Sequence, residues 1–418
     1  MRSGSPARAR LILASAMAVA AALGLCMTTA CSGTGRPGPG DGRTAPPATP
    51  LVPRGAACGQ PALAGASGAW LPDWLDDPSR PSVIPELARR LRLLDFFWLG
   101  LGAGPESILQ RPDNPAASSL GTVLRAAGTA NPCVLRFVTI ADQRTPKATM
   151  ARILLDPETR SRDVAALAAT TARYPQADGL TLDYEYALPA SLGDLDLYAS
   201  VAGWHGLTGQ QQVTRIRDGY TALARELALA MHRQHRALRV AVKPRVTGGS
   251  DLSDPAPLVY DYGELAKYAD QIVLMAIDFH WAGSDPGPIA PLADVENALA
   301  RVRAYGVPDA RLAVELAAYG YDWTVDAAGH RVPGTQAASV TATGIARERW
   351  TTTGSSDGET SYEYASPGHR HVVWFAGSAL RSRAVSLRRL YSRVAGIAWA
   401  AGNTDPAGAA LISRALGG

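Results

Sequence analysis

The chain has 418 residues, 47% of them hydrophobic and 19% charged, with 41 basic and 37 acidic residues and a net charge of +4. That composition suits one large barrel or two to three medium globular domains and excludes a disordered or fibrous chain. Setting aside the leader residues Arg2, Arg8 and Arg10 leaves 38 basic against 37 acidic residues. No basic stripe then points to nucleic acid, and a neutral polymer is the more natural partner.

The first element in chain order is a leader. Arg2, Arg8 and Arg10 precede an Ala-rich apolar run over 11–25, and Thr28-Thr29-Ala30 lead to Cys31. Residues 1–30 read as a secretory signal, and the apolar run is short for a spanning helix. The Thr-Thr-Ala-Cys-Ser-Gly ending resembles a bacterial lipoprotein cleavage site with Cys31 as the lipidated residue, although Thr28 stands where an aliphatic residue is usual; plain secretion is the alternative. Residues 31–60 are rich in Gly, Pro, Thr and Ala and read as a flexible tether. The expected location is therefore outside the cytoplasm, lipid-anchored at the cell membrane or extracellular. With Cys26 lost and Cys31 acylated, Cys58 and Cys133 remain. In an exported protein they form a disulfide or stay as two buried thiols.

Residues 61–418 alternate strand-like and helical patterns. Apolar runs at 69–71, 94–99, 134–140, 180–184, 238–242, 271–277, 311–316 and 396–400 read as eight strands. Between them, Val213, Ile216, Tyr220, Leu223 and Leu227 recur at helical steps, as do Val295, Leu299 and Val302 before Gly306 and Pro308. Ser378 is placed to cap a helix carrying Leu380, Leu387 and Leu390 that stops at Gly396. The pattern predicts an α/β fold, a (β/α)8 barrel. The doubly wound sheet is the alternative, but no glycine-rich phosphate loop follows the first strand. Residues 322–375 are too long for one connection and read as an inserted subdomain between the seventh and eighth strands. A monomer is expected.

In such barrels the active site lies at the C-terminal ends of the strands. The fourth run, Asp178-Gly179-Leu180-Thr181-Leu182-Asp183-Tyr184-Glu185, puts Thr181, Asp183 and Glu185 on one face. Two acids and a hydroxyl on one face are costly to bury unless a site uses them. Trp74 follows the first strand. Asp278, Phe279, His280 and Trp281 end the sixth, Tyr319, Tyr321 and Trp323 follow the seventh, and Trp399 lies in the eighth. Acids ringed by aromatic groups suit a neutral carbohydrate.

These residues resemble glycoside hydrolase family 18, the chitinase-like enzymes, in its cell-wall and spore-cortex branch. The fourth run is similar to that family's Asp-Gly-x-x-x-Asp-x-Glu signature, and 273–278 to its Met-x-Tyr-Asp strand. Ala317-Ala318-Tyr319-Gly320 and Gly396-Ile397-Ala398-Trp399 resemble its seventh and eighth strands. The resemblance implies Glu185 as the general acid. It implies Asp183 as the residue orienting the substrate's own acetamido group, which attacks in place of an enzyme nucleophile. Asp278 would help place that group. Trp399 would stack beneath the sugar, and Tyr319, Trp281, His280, Trp74 and Thr181 would complete the substrate site. The polymer would be peptidoglycan rather than chitin.

Two positions depart from the family pattern. Thr181 stands where many chitinases carry a third acid. Ile277 replaces the tyrosine whose hydroxyl holds the acetamido oxygen; His280 or Tyr319 is placed to supply that donor instead. A barrel that binds glycans without cleaving them is the competing reading. No cofactor motif, metal-ligand spacing or Gly-x-Ser-x-Gly turn occurs, so neither a metal nor a cofactor is expected.

Overall fold

The computed structural model describes Cys58, residues 62–76, Ser79 and residues 82–245, 255–347, 351–356, 358–400 and 406–417. The expected signal, Cys31 and most of the tether lie outside these residues.

Eight parallel strands run Ser67–Pro72, Leu93–Leu101, Leu135–Ala141, Gly179–Asp183, Ala237–Val242, Gln271–Leu274, Leu312–Ala317 and Ala395–Trp399; they are called the first to eighth strands below. The first pairs with both the second and the eighth, so the sheet closes into a barrel. Closure rules out the doubly wound sheet, which keeps two open edges.

Period-two alternation sorts the strand residues into two layers. Leu94, Phe96, Leu180, Leu182 and Tyr184 point outward into the core shared with the helices. Trp70, Leu93, Phe97, Phe137, Val273 and Ile397 fill the barrel interior. Gly179 belongs to the inner set, where a Cβ would meet the Ala237 carbonyl oxygen at 2.2 Å and the Phe137 ring at 2.5 Å. The glycine of the fourth-strand motif is thus a packing requirement.

The helix Gly209–Arg233 buries Val213, Ile216, Tyr220, Leu223 and Leu227, and Thr208 and Gln211 close a capping box at its start. Helix Leu292–Ala304 buries Val295, Leu299 and Val302. Ser378 differs from its expected role. Helix Leu380–Leu390 has no side-chain cap, and the Ser378 hydroxyl instead donates to the Gly358 and Phe375 carbonyls, at 2.8 and 2.7 Å, within the insertion. Gly396 lies inside the eighth strand, because the helix already ends at Leu390.

The insertion between the seventh and eighth strands is a five-stranded antiparallel sheet. Its order is Ala338–Val340, Gly320–Val325, His369–Phe375, Glu359–Ser366 and Thr351–Ser356. It begins at Gly320, two residues before the expected boundary, because Gly320 already pairs with Phe375. Helix Ala342–Arg347 makes it α+β.

A polar layer crosses the barrel beneath the mouth. Asp95 of the second strand accepts hydrogen bonds from Thr139 (2.7 Å) and Thr181 (2.5 Å) and pairs with Arg239 of the fifth. Arg239 Nε donates to Gln271 of the sixth strand at 3.0 Å, and Trp70 Nε1 donates to Thr139 at 2.7 Å. Hydrogen bonds to Thr139, Thr181 and Gln271 support this buried ion pair, although Arg239 Nη2 has no partner among the described residues.

Candidate active site

The fourth strand ends at Asp183, whose parallel neighbour on the third strand is Ala141. That register sets Asp142, the next residue, beside the chain leaving the fourth strand. Asp142 is fully buried. Its Oδ1 accepts the N–H of Glu185 (3.0 Å) and Tyr186 (2.9 Å), and its Oδ2 accepts that of Ala187 (2.9 Å). Tyr260 donates to the Tyr184 carbonyl at 3.0 Å, and Tyr198 to the Ala187 carbonyl at 2.7 Å. Behind the sheet, the Tyr184 hydroxyl reaches Asp163 at 3.2 Å. One carboxylate and two tyrosines therefore fix the backbone that carries Glu185.

Asp183 is 2% exposed, and its Oδ1 is buried with no hydrogen-bond partner among the described residues. Burial first, then the charges of Glu185, Asp142 and Glu315, hold its carboxyl well above the usual carboxylate range. Burial likewise pushes Asp142 up to about 6. Glu185 is half-buried, and its Oε2 lies 3.5 Å from Lys243 Nζ, just past the fifth strand. Glu315, inside the seventh strand, is also raised by burial and by the Glu185 charge.

Asp278 faces this group from the sixth strand. The strand is expected to run to Ile277, but its ladder stops at Leu274, and Asp278 adopts a left-handed backbone with φ of 56°. Such a conformation costs a non-glycine residue of order 1–3 kcal/mol and persists where surroundings enforce it. The enforcing groups are Tyr319, which donates to Oδ1, and Tyr321, which donates to Oδ2 at 3.3 Å. Burial pushes Asp278 up to about 6 against these two hydrogen bonds, with Glu185 adding to the rise.

Aromatic rings floor the mouth. Trp399 is half-buried and makes edge contacts with Trp70 (5.5 Å), Trp74 (5.7 Å) and Phe97 (5.6 Å). Trp281 is 53% exposed, on the loop past Asp278. His280 turns Nδ1 to the carbonyl of Asp285 at 3.1 Å, within its own loop.

Two expected substrate residues lie beneath the mouth. Thr181 is fully buried with its hydroxyl on Asp95; it lies one pleat repeat below Asp183, roughly 6–7 Å deeper along the strand. Tyr319 is 1% exposed, its hydroxyl is committed to Asp278, and Tyr321 covers it edge-on at 5.4 Å. Both support the site from beneath. Sequence reasoning passed over Asp142, Lys243 and Glu315. The first two directly follow strands, so the rule that collects strand ends reaches them. Alternation along 312–316 places Glu315 inside.

Among the described residues no group of three or more His, Cys, Asp or Glu is arranged to hold a metal ion. No described helix is long and apolar enough to cross a membrane.

Residues 140–385, more than half of the chain, match the glycosyl hydrolases family 18. The chain belongs to that family. The matched span holds Asp142, Asp183, Glu185, Lys243, Asp278 and Tyr319. A Bacillus subtilis (strain 168) protein designated a putative sporulation-specific glycosylase, YdhD, is 30% identical over 212 residues, covering 48% of this chain and 47% of that protein. The uncharacterized glycosylase YvbX of the same organism is 24% identical over 191 residues, covering 45% of this chain and 54% of its own length. The chain thus matches about half the length of these curated relatives. In fold, the Bacillus cereus spore cortex-lytic enzyme SleL matches with a TM-score of 0.63 at 15% identity, over 83% of this chain and 73% of SleL. A Chromobacterium violaceum chitinase matches with a TM-score of 0.63 at 19% identity, over 84% of this chain and 100% of the chitinase.

Proposed function

We propose that this family 18 protein is an exported glycosidase. It cleaves β-1,4 linkages of polymers containing N-acetylglucosamine, peptidoglycan ahead of chitin, and a lipid on Cys31 holds it at the membrane. The observation that carries the reading is Glu185, fixed at the mouth by the Asp142 bonds to its loop and set beside Asp183. The family supports a hydrolase of this class. The names of YdhD and SleL, which refer to sporulation and spore cortex, favour a wall polymer over chitin.

Glu185 protonates the glycosidic oxygen, a step worth typically 10²–10⁴-fold. The substrate's acetamido oxygen attacks the anomeric carbon, as in the substrate-assisted exception to the two-carboxylate scheme. Asp183, held protonated by its burial, accepts the acetamido N–H on its Oδ1, which has no partner among the described residues, and this turns the acetamido oxygen toward the anomeric carbon. Asp278 orients the group from the opposite side, and Trp399 carries the apolar face of the sugar. Lys243, 3.5 Å from Oε2, pairs with Glu185 once that acid has given up its proton. With Ile277 unable to donate and the buried Tyr319 hydroxyl committed, the half-buried Tyr321, whose bond to Asp278 is long at 3.3 Å, becomes the donor by releasing that carboxylate as the sugar enters.

A second reading, a glycan-binding barrel with little turnover, draws on Ile277, whose apolar side chain cannot donate a hydrogen bond to the sugar. Release of reducing ends from purified peptidoglycan and from chito-oligosaccharides, compared between the protein and Glu185→Gln, decides. Activity lost in the variant upholds the glycosidase. Saturable glycan binding by both proteins without turnover favours the second reading.

A further inference from the structure

The end of the barrel opposite the mouth carries a concentration of positive charge that the glycosidase reading leaves unused. Arg89 and Arg90 end helix Ile84–Arg90, and Arg388 and Arg389 end helix Leu380–Leu390. Arg92 and Arg393 lie just ahead of the second and eighth strands. All six are exposed. The backbone draws them together: Gly65 N–H donates to the Arg393 carbonyl at 2.8 Å, and Arg92 N–H to the Ser67 carbonyl at 2.9 Å. Arg388 donates to the Ala415 and Leu416 carbonyls, and a Cβ on neighbouring Gly417 would lie 3.2 Å from that of Arg90. The six therefore ring the point where the chain enters its first strand.

Helix dipoles account for cations in the last turns of helices. They do not account for Arg92 and Arg393, which lie beyond the helices. Nor do they account for the missing acids: helices Leu120–Ala130, Leu380–Leu390 and Pro406–Leu416 contain none. No described carboxylate pairs with any of the six. Asp142, Asp183, Glu185 and Asp278 lie at the other end, and the acids that directly precede strands at the arginine end, Asp178 and Asp270, stand at the fourth and sixth strands rather than at the first, second and eighth.

The disulfide adds the orientation. Cys58 is bonded to Cys133, two residues ahead of the third strand, and Arg92 lines the same small cavity as both cysteines. Cys58, the first described residue, therefore lies among these arginines. We propose that this ring is a docking surface for an anionic lipid bilayer, seating the barrel on the membrane with its acid-lined mouth turned away. Six exposed guanidinium groups with no carboxylate partner among the described residues, spread over two helix ends and the starts of two strands, complement an extended anionic surface in charge.

The test uses the chain from residue 31 onward carrying Cys31→Ser, so that neither the apolar leader nor an acyl group is present, sedimented with phosphatidylcholine vesicles with and without phosphatidylglycerol. Binding is expected to be strong only with the anionic lipid and to fall with added salt. Each arginine near such a surface contributes roughly fivefold to affinity. Changing Arg89, Arg90, Arg389 and Arg393 to Gln is expected to weaken binding by roughly a hundredfold or more on that scale. The same variant keeps its hydrolysis of soluble chito-oligosaccharides. Changing Arg162 and Arg370, which lie away from this end, to Gln leaves binding intact. The proposal is overturned if the chain binds both vesicles alike, if the Arg162 and Arg370 changes weaken binding as much per charge, or if a soluble glycerol-phosphate polymer displaces the vesicles at equal phosphate. If the fourfold variant loses its circular dichroism signal, lipid and salt dependence of the chain with its arginines intact still decide.

Discussion

Asp142→Asn separates stability from function at this site. In the folded protein Asp142 is raised from 3.8 to about 6, chiefly by burial. A carboxyl whose folded pKa is raised binds its proton more tightly when native, so the native state loses stability as pH climbs from the unfolded value toward the folded one. Over that interval of roughly two pH units the loss is about 3 kcal/mol, at 1.36 kcal/mol per unit. An amide resembles the protonated carboxyl: one oxygen still serves Glu185 and Tyr186, while the NH2 meets the Ala187 N–H as donor against donor. Wild type and variant are therefore expected to be equally stable near pH 4, with the variant the more stable by about 3 kcal/mol at pH 7. Activity moves the other way. Losing the third loop bond displaces Glu185, and a displacement of about 1 Å costs on the order of 10²-fold. Urea unfolding at four pH values, paired with reducing-end assays, measures both. Parallel stability curves, or wild-type turnover in the variant, would refute the reasoning.

Other outcomes follow from the same geometry. Arg239→Met leaves Asp95 buried without its ion pair and is expected to cost 3–5 kcal/mol, read by denaturant midpoint; an unchanged midpoint contradicts the buried pairing. Changing Cys58 and Cys133 to Ser opens a crosslink spanning 75 residues. The chain-entropy relation puts that loss at about 4 kcal/mol, visible as a lower melting temperature than that of the oxidised protein. Tyr321→Phe removes the proposed donor and is expected to lower kcat by roughly 10²–10³, the scale of an oxyanion-hole deletion. Ile277→Tyr is expected to restore much of that rate in the Tyr321→Phe background, and no recovery there would disprove the assignment.

Much of the frame was legible in sequence. Leu180, Leu182 and Tyr184 alternating with Thr181 and Asp183 is a local pattern, and the pleat alone sends the acids to one face. The helix Gly209–Arg233 is legible for the same reason, since its buried residues repeat at the helical period over several turns. The inserted segment was visible only as excess length, because its strands pair antiparallel among themselves and leave no barrel periodicity. Ile277 was read as strand because its run is apolar, but the backbone turns at Asp278 to bring two tyrosine hydroxyls onto that carboxylate.

The amino-acid order alone determines the alternation of elements, the acid pair on the fourth strand and the departures at Thr181 and Ile277, because each depends on neighbours a few residues away. Tertiary structure decides what those side chains touch. Asp142 reaches the Glu185 loop across more than forty positions, Arg239 reaches Asp95 across more than a hundred, and Thr181 turns inward to the same carboxylate. Strand register and barrel closure create these contacts, and both arise from the packing of all eight strands at once rather than from any local run of sequence.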